Sequence, residues 1–86
     1  MEKNIRIFAF TDDFAEVAAA KKLGFTSEID DAINGIIYIG FETDDKQTAI
    51  EILQKCKAEE IYVNVIDVKA NKDFTSEEYL EFLKGA

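Results

Sequence analysis

The chain has 86 residues, 48% of them hydrophobic and 12% aromatic, with 18 acidic against 10 basic side chains and a formal charge of −8. That length makes one domain with a single small core, and the apolar content argues against disorder. With no histidine and one cysteine, Cys56, an internal disulfide and a cysteine-rich metal site are excluded and the usual general base near neutral pH is missing. The charge opposes binding to phosphate backbones and favours attraction to basic surfaces.

The first segment, NIRIFAFT (4–11), alternates with Ile5, Ile7 and Ala9 on one side and Arg6, Phe8 and Phe10 on the other, which predicts a strand apolar on both faces. Its apolar run is too short for a signal peptide, no later run approaches a membrane span, and a lone thiol suits a reducing compartment, so a cytoplasmic location is expected. Asp13 and Glu16 then read as a capping box at the start of a helix, FAEVAAAKKL, with Lys21 and Lys22 at its C-terminal end and Gly24 as its stop. FTSEIDD (25–31) is a weaker strand, and the turn AING leads into the strong strand IIYIGFE (36–42). A two-residue Asn34-Gly35 turn would bury Asp30, so a three-residue loop, Ile33-Asn34-Gly35 with Gly35 left-handed, is preferred; it sets Ile29 with Ile39 in the core.

Asp44 and Gln47 suggest a second capping box, and Ala49, Ile50, Leu53 and Cys56 trace the buried stripe of a second helix. IYVNVIDV (61–68) is the fourth strand, KANKD lies in a polar linker (69–74), and a terminal helix is expected over 75–84, with Thr75 and Glu78 as its capping box and Phe74 against Tyr79 as a hydrophobic staple.

Strand–helix–strand–strand–helix–strand predicts an α+β domain of the ferredoxin-like split βαβ plan: a four-stranded antiparallel sheet with two helices on one face, plus the short C-terminal helix. Its expected core is Ile5, Ile7, Val17, Phe25, Ile29, Ile37, Ile39, Phe41, Ile50, Leu53, Ile61, Val63 and Val65. The other sheet face holds Phe8, Phe10, Ile36, Tyr38, Tyr62, Ile66 and Val68, too apolar to stand bare without a reason. The expected cover is the terminal helix folded back through Tyr79, Leu80, Phe82 and Leu83; a homodimer or a partner protein on that face are the alternatives.

NGIIYIGF (34–41) and IFAFTD (7–12) resemble the two short motifs of the RNA-recognition-motif domain, with Gly35, Tyr38, Ile39 and Phe41 matching the first and Phe8 at the stacking position of the second. Asn34, Ile36 and Ile37 stand where that family places a basic, an aromatic and a small residue. The resemblance implies the same βαββαβ fold and single-stranded RNA stacked on Phe8 and Tyr38. The strand order also resembles the ACT regulatory domain, which implies an amino-acid ligand near the first strand–helix turn. Here Thr11-Asp12-Asp13 replaces the glycine-bearing turn of that family.

Candidate chemistry is sparse. The pairs Asp12-Asp13, Asp30-Asp31, Asp44-Asp45, Glu59-Glu60 and Glu77-Glu78 fall mostly where helix starts and strand ends want polar residues. Asp12, Asp13, Asp44 and Asp45 are expected at one sheet end as a weak cation site, since both loops follow central strands read as parallel. Thr11, Thr43 and Thr75 read as caps, Cys56 as core filler, and the scattered glycines form no phosphate loop. No catalytic residue, cofactor or metal is expected. The expected function is a small acidic non-enzymatic interaction domain, an inhibitor or regulator that engages a basic nucleic-acid-binding protein surface. Phage-encoded inhibitors of the anti-CRISPR kind resemble it in size and charge. The candidate binding residues are Phe8, Phe10, Tyr38, Tyr62, Asp12, Asp13, Glu28, Asp30, Asp31, Asp44 and Asp45.

Overall fold

The computed structural model describes residues 3–31 and 35–85, with the side chains of 27–31 outside the description. Among these residues five strands and three helices follow in the order β1 (Ile5–Thr11), α1 (Phe14–Lys22), β2 (Thr26–Asp31), β3 (Ile36–Thr43), α2 (Lys46–Ala58), β4 (Asn64–Asp67), β5 (Lys72–Thr75) and α3 (Ser76–Gly85). They form one sheet in the order β2-β3-β1-β4-β5, with every described neighbour pair antiparallel. The fold is therefore α+β around an open antiparallel sheet. The fifth strand takes the second half of the expected linker, because Phe74 lies opposite Val65 and carries the sheet's apolar side outward by one strand. The fourth strand is shorter than expected, beginning only at Asn64.

Alternation assigns the faces. Ile5, Ile7, Ala9, Ile37, Ile39, Val65 and Phe74 point to one side, where Val17 and Ala20 of α1, Ala49, Ile52, Leu53 and Cys56 of α2, and Tyr79 of α3 close the core over them. Two expected core residues, Phe41 and Ile50, are only half buried; Ile52 takes the buried place on α2. Cys56 is core filler, and burial pushes its thiol up to about 11. In the β2–β3 hairpin, Ile29 pairs with Ile37 rather than Ile39, and an irregularity between Ile29 and Asp31 absorbs one residue. The preferred loop falls on Ile33 and Asn34, outside the described residues, while Gly35 is left-handed at φ +69°.

The helix ends repeat a small vocabulary. Asp13 and Asp45 cap α1 and α2 by accepting the amides of Ala15 (2.9 Å) and Gln47 (3.3 Å). Thr11 and Thr43 are not caps: each hydroxyl accepts the amide of the aspartate two residues on, at 3.0 Å. The expected Asp44–Gln47 box is thus displaced by one residue, and Asp44 instead takes the Asn4 amide at 2.7 Å. Both helices close with paired hydrogen bonds of the Schellman type, Phe25 to Ala20 and Ile61 to Cys56, with Gly24 and Glu60 at positive φ. In α3 the predicted box is reciprocal: the Thr75 amide donates to Glu78 (2.9 Å) and the Glu78 amide to Thr75 (3.2 Å). The predicted staple is present as well, with the Phe74 and Tyr79 rings 5.0 Å apart.

That staple decides where α3 goes. Phe74 is on the core side, so the helix it anchors packs beside α2 on the covered face, with Leu80 and Leu83 against the core. The Tyr79 hydroxyl donates to the buried Asp67 carboxylate at 2.8 Å, and the other Asp67 oxygen accepts the Ala70 amide. Burial, and then this bond, push the Tyr79 phenol well above its ordinary range. The expectation that residues 75–84 cover the aromatic face is overturned: no described element packs on that side.

Candidate functional site

The uncovered face is built from the even-numbered residues of the two central strands. Register sets Phe10 opposite Tyr38, Phe8 opposite Gly40 and Arg6 opposite Glu42, with Arg6 beside Ile66 and Phe8 beside Asn64 on β4. The rings cluster: Phe10 lies 5.5 Å from Tyr38 and 6.3 Å from Phe8. Phe10 is 56% exposed, while Phe8, Tyr38, Ile36 and Ile66 are half buried by one another. Gly40 makes this possible, because a Cβ there would stand 2.7–2.8 Å from ring carbons of Tyr38. The tyrosine lies across its own strand over the glycine.

The arginine on this face is already engaged. The Arg6 guanidinium meets Glu42 at 2.9 Å across β1 and β3. Asp73, opposite Ile66 on the edge strand, adds a carboxylate. Tyr62 is 85% exposed just before β4; continuing the β1–β4 register would bring it level with Phe10. Phe14, at the start of α1, is a further large apolar residue left exposed, at 73%.

The antiparallel sheet also sorts the acids by end. Ile5 is level with Thr43 and Thr11 with Ile37, so the turns after β1 and β3 lie at opposite ends of the sheet. Asp12 and Asp13 therefore do not meet Asp44 and Asp45, and the expected shared cation site does not form. Among the described residues no group of three or more metal-binding side chains converges. Instead, the end where β1 finishes collects Asp12, Asp13 and Glu16, the Glu59-Glu60 turn after α2 and the Glu77-Glu78 start of α3, against Lys55 and Lys57. The ends of β2 bring Asp30 and Asp31 to the same side as sequence positions; their side chains, like that of Glu28 opposite Tyr38, lie outside the description. Glu16 registers this crowding: burial first, then Asp13 and Asp12, raise its carboxyl above the ordinary value. The opposite end holds Lys3, Arg6, Lys21, Lys22, Lys46, Lys69 and Lys72, with Lys3 at 3.7 Å from Asp44.

At the acidic end a groove of about 550 Å³ opens between the α2–β4 turn and the start of α3, lined by Lys57, Glu60, Ile61, Tyr62, Val63, Asn64, Thr75, Ser76, Glu77 and Leu80. A second hollow, about 480 Å³, lies on the open face around Arg6, Tyr38, Gly40 and Glu42. Of the residues the sequence singled out, Phe8, Phe10 and Tyr38 come together as one patch, Asp12, Asp13 and Tyr62 lie toward its acidic end, and at the other Asp44 accepts the Asn4 amide and Asp45 caps α2. The groove residues Glu60 and Glu77 belong to acidic pairs already visible in the chain, but only the packing of α3 brings them across from each other. The turn Thr11-Asp12-Asp13, where the ACT resemblance places a ligand, directs the Thr11 and Asp13 side chains to its own amides.

No described helix is long and apolar enough to cross a membrane. Comparison with known proteins finds no matching family model, no curated relative and no similar solved structure, so the chemistry of these surfaces is the ground for function.

Proposed function

We propose that this chain is a small acidic, non-enzymatic protein-binding domain on a ferredoxin-like βαββαβ frame, extended by β5 and α3, whose open sheet face docks a basic surface of a protein partner. The frame is supported by the order β2-β3-β1-β4, all antiparallel, with α1 and α2 packed on one face. The observation that carries the function is the Phe8–Phe10–Tyr38 cluster on the side no helix covers, with Phe10 exposed, beside an end rich in carboxylates and with Arg6 on that face engaged by Glu42. Aromatic side chains are the usual anchors of protein interfaces, and carboxylates around them select a basic partner and speed its approach. A partner that itself binds nucleic acid offers such a basic surface, which makes the domain an inhibitor or regulator of it.

The test is affinity capture from the native host with identification of what binds. A basic protein, retained at low salt and lost from a Phe10→Ala/Tyr38→Ala variant, supports the reading. Retention that ignores both salt and the two substitutions contradicts it.

A second reading draws on the same uncovered rings: single-stranded RNA stacked on Phe8 and Tyr38, as the RNA-recognition-motif resemblance implies. Base stacking on each ring is worth about 1–3 kcal/mol, but Glu42 competes with phosphate for Arg6. Fluorescence anisotropy with a labelled oligouridine separates the two: RNA binding that a Phe8→Ala/Tyr38→Ala variant loses would favour this reading over the first.

A further inference from the structure

We propose that the groove at the acidic end is the anchor pocket for an arginine side chain of that protein partner; the inference rests on the protein-docking reading of the open face and deepens it. The groove's inner wall is aliphatic, from Ile61, Val63 and Leu80, while Glu60 and Glu77 stand at its rim. An arginine is amphipathic in the same sense: its methylene stem prefers an apolar wall and its planar guanidinium pairs with carboxylates. The exposed Tyr62 ring beside them adds a face on which a guanidinium stacks.

The charge is complementary. Lys57 is the basic residue in the lining and faces two carboxylates there, and the surrounding end of the sheet is acidic. The groove is also continuous with the docking face, since Asn64 and Thr75 line it and are cross-strand partners on the same side of the sheet as Phe8. One partner segment therefore reaches both, an apolar residue resting on Phe10 and an arginine turning over the sheet end into the groove. Lysine fits less well, because an ammonium cannot pair with a carboxylate in two parallel hydrogen bonds or stack flat on Tyr62.

The experiment is an amide-resolved NMR titration of the full chain with the capped pentapeptide Gly-Leu-Arg-Leu-Gly, alongside its lysine and norleucine counterparts. Saturable shifts at Tyr62, Asn64, Ser76 and Glu77, strongest with arginine and absent with norleucine, are expected. Glu60→Gln and Glu77→Gln should each weaken arginine binding by about fivefold, while Glu51→Gln, on the exposed side of α2, should leave it unchanged. Shifts spread over every acidic segment, equal responses to norleucine, or a groove that responds to inorganic phosphate instead would overturn the proposal. A response confined to Phe8, Phe10 and Tyr38 would overturn the groove and leave the docking face standing. Loss of captured partner from the Phe10→Ala/Tyr38→Ala variant tests the face independently of the groove.

Discussion

The two faces of the sheet are made of alternate residues of the same strands, and their apolar residues have opposite fates. Ile7, Ile37 and Val65 are sealed under three helices; their chain neighbours Phe8, Tyr38 and Ile66 stay half buried on the side that no helix covers, the first two around the exposed Phe10. The covered side joins aliphatic packing to the Phe25–Phe41 and Phe74–Tyr79–Phe82 ring contacts and buries the Tyr79–Asp67 hydrogen bond among them. The open side carries the Phe8–Phe10–Tyr38 cluster, an ion pair toward one end and carboxylates toward the other. Residues chosen for stability alone would be expected to leave the solvent side polar. Spending Phe8, Phe10 and Tyr38 there points to a use for them outside the molecule.

The contrast is broken most severely by truncation. Ile7→Ala on the covered face should lose about 2–5 kcal/mol of unfolding free energy, whereas Phe10→Ala on the open face should change it by about 0.5 kcal/mol or less. Urea denaturation of the two variants measures both; similar losses would mean that Phe10 is part of a core.

Tyr79→Phe comes next. It leaves one oxygen of the buried Asp67 carboxylate without its donor, so a loss of about 1–3 kcal/mol is expected while secondary structure by circular dichroism stays the same. The phenol also predicts a pH dependence. Its folded value is raised above the ordinary 10.0, so its contribution is whole below that pH and is lost as pH rises above it, when the unfolded chain ionises first. Tyr79→Phe should flatten that alkaline decline in stability.

A smaller effect belongs to the cap of α3. Thr75→Ala removes one half of the reciprocal box and should lose about 1 kcal/mol, read as a lowered urea midpoint. At acid pH the signs divide. The Asp45 carboxyl is lowered, first by the Thr48 hydroxyl, and Glu78 by its bonds to Thr75. Their contributions are present above the ordinary carboxylate range and are lost as pH falls through the lowered folded values. Glu16 is raised and works the other way: its contribution is present in acid and is lost as pH rises through its folded value. Glu16→Gln should therefore stabilise the protein at neutral pH and do nothing in acid.

The smallest change in stability is expected for Gly40→Ala, because the group a new Cβ meets is the far end of the Tyr38 ring, which can swing away. Its signature is local: aromatic proton shifts of Tyr38 and Phe10 should move while those of Phe74 and Tyr79 hold still. If the covered-face rings shift as well, the two faces are not independent.

Much of this arrangement is legible in the chain because it is local. Alternation in NIRIFAFT and IIYIGFE assigns both faces, and Thr75-Ser76-Glu77-Glu78 with Phe74 and Tyr79 announces the box and the staple at their observed positions. What is not local is not legible. KDFT holds one apolar residue, so β5 has no alternation to declare it; it is a strand because β4 offers an edge. The stripe of α3 suits either face of the sheet, and only the direction of Phe74 together with the Asp67–Tyr79 bond chooses. Asp44 and Asp45 are alike as caps in sequence, and the Asn4 amide claims the first. The groove follows from the placement of α3 and was hidden with it.

The most direct measurement is solvent paramagnetic relaxation of aromatic protons in the free protein. The open-face account predicts strong enhancement for Phe10, intermediate values for Phe8 and Tyr38, and protection for Tyr79. If Phe10 and Tyr38 prove as protected as Tyr79, the sheet face is covered and the docking surface proposed for it does not exist.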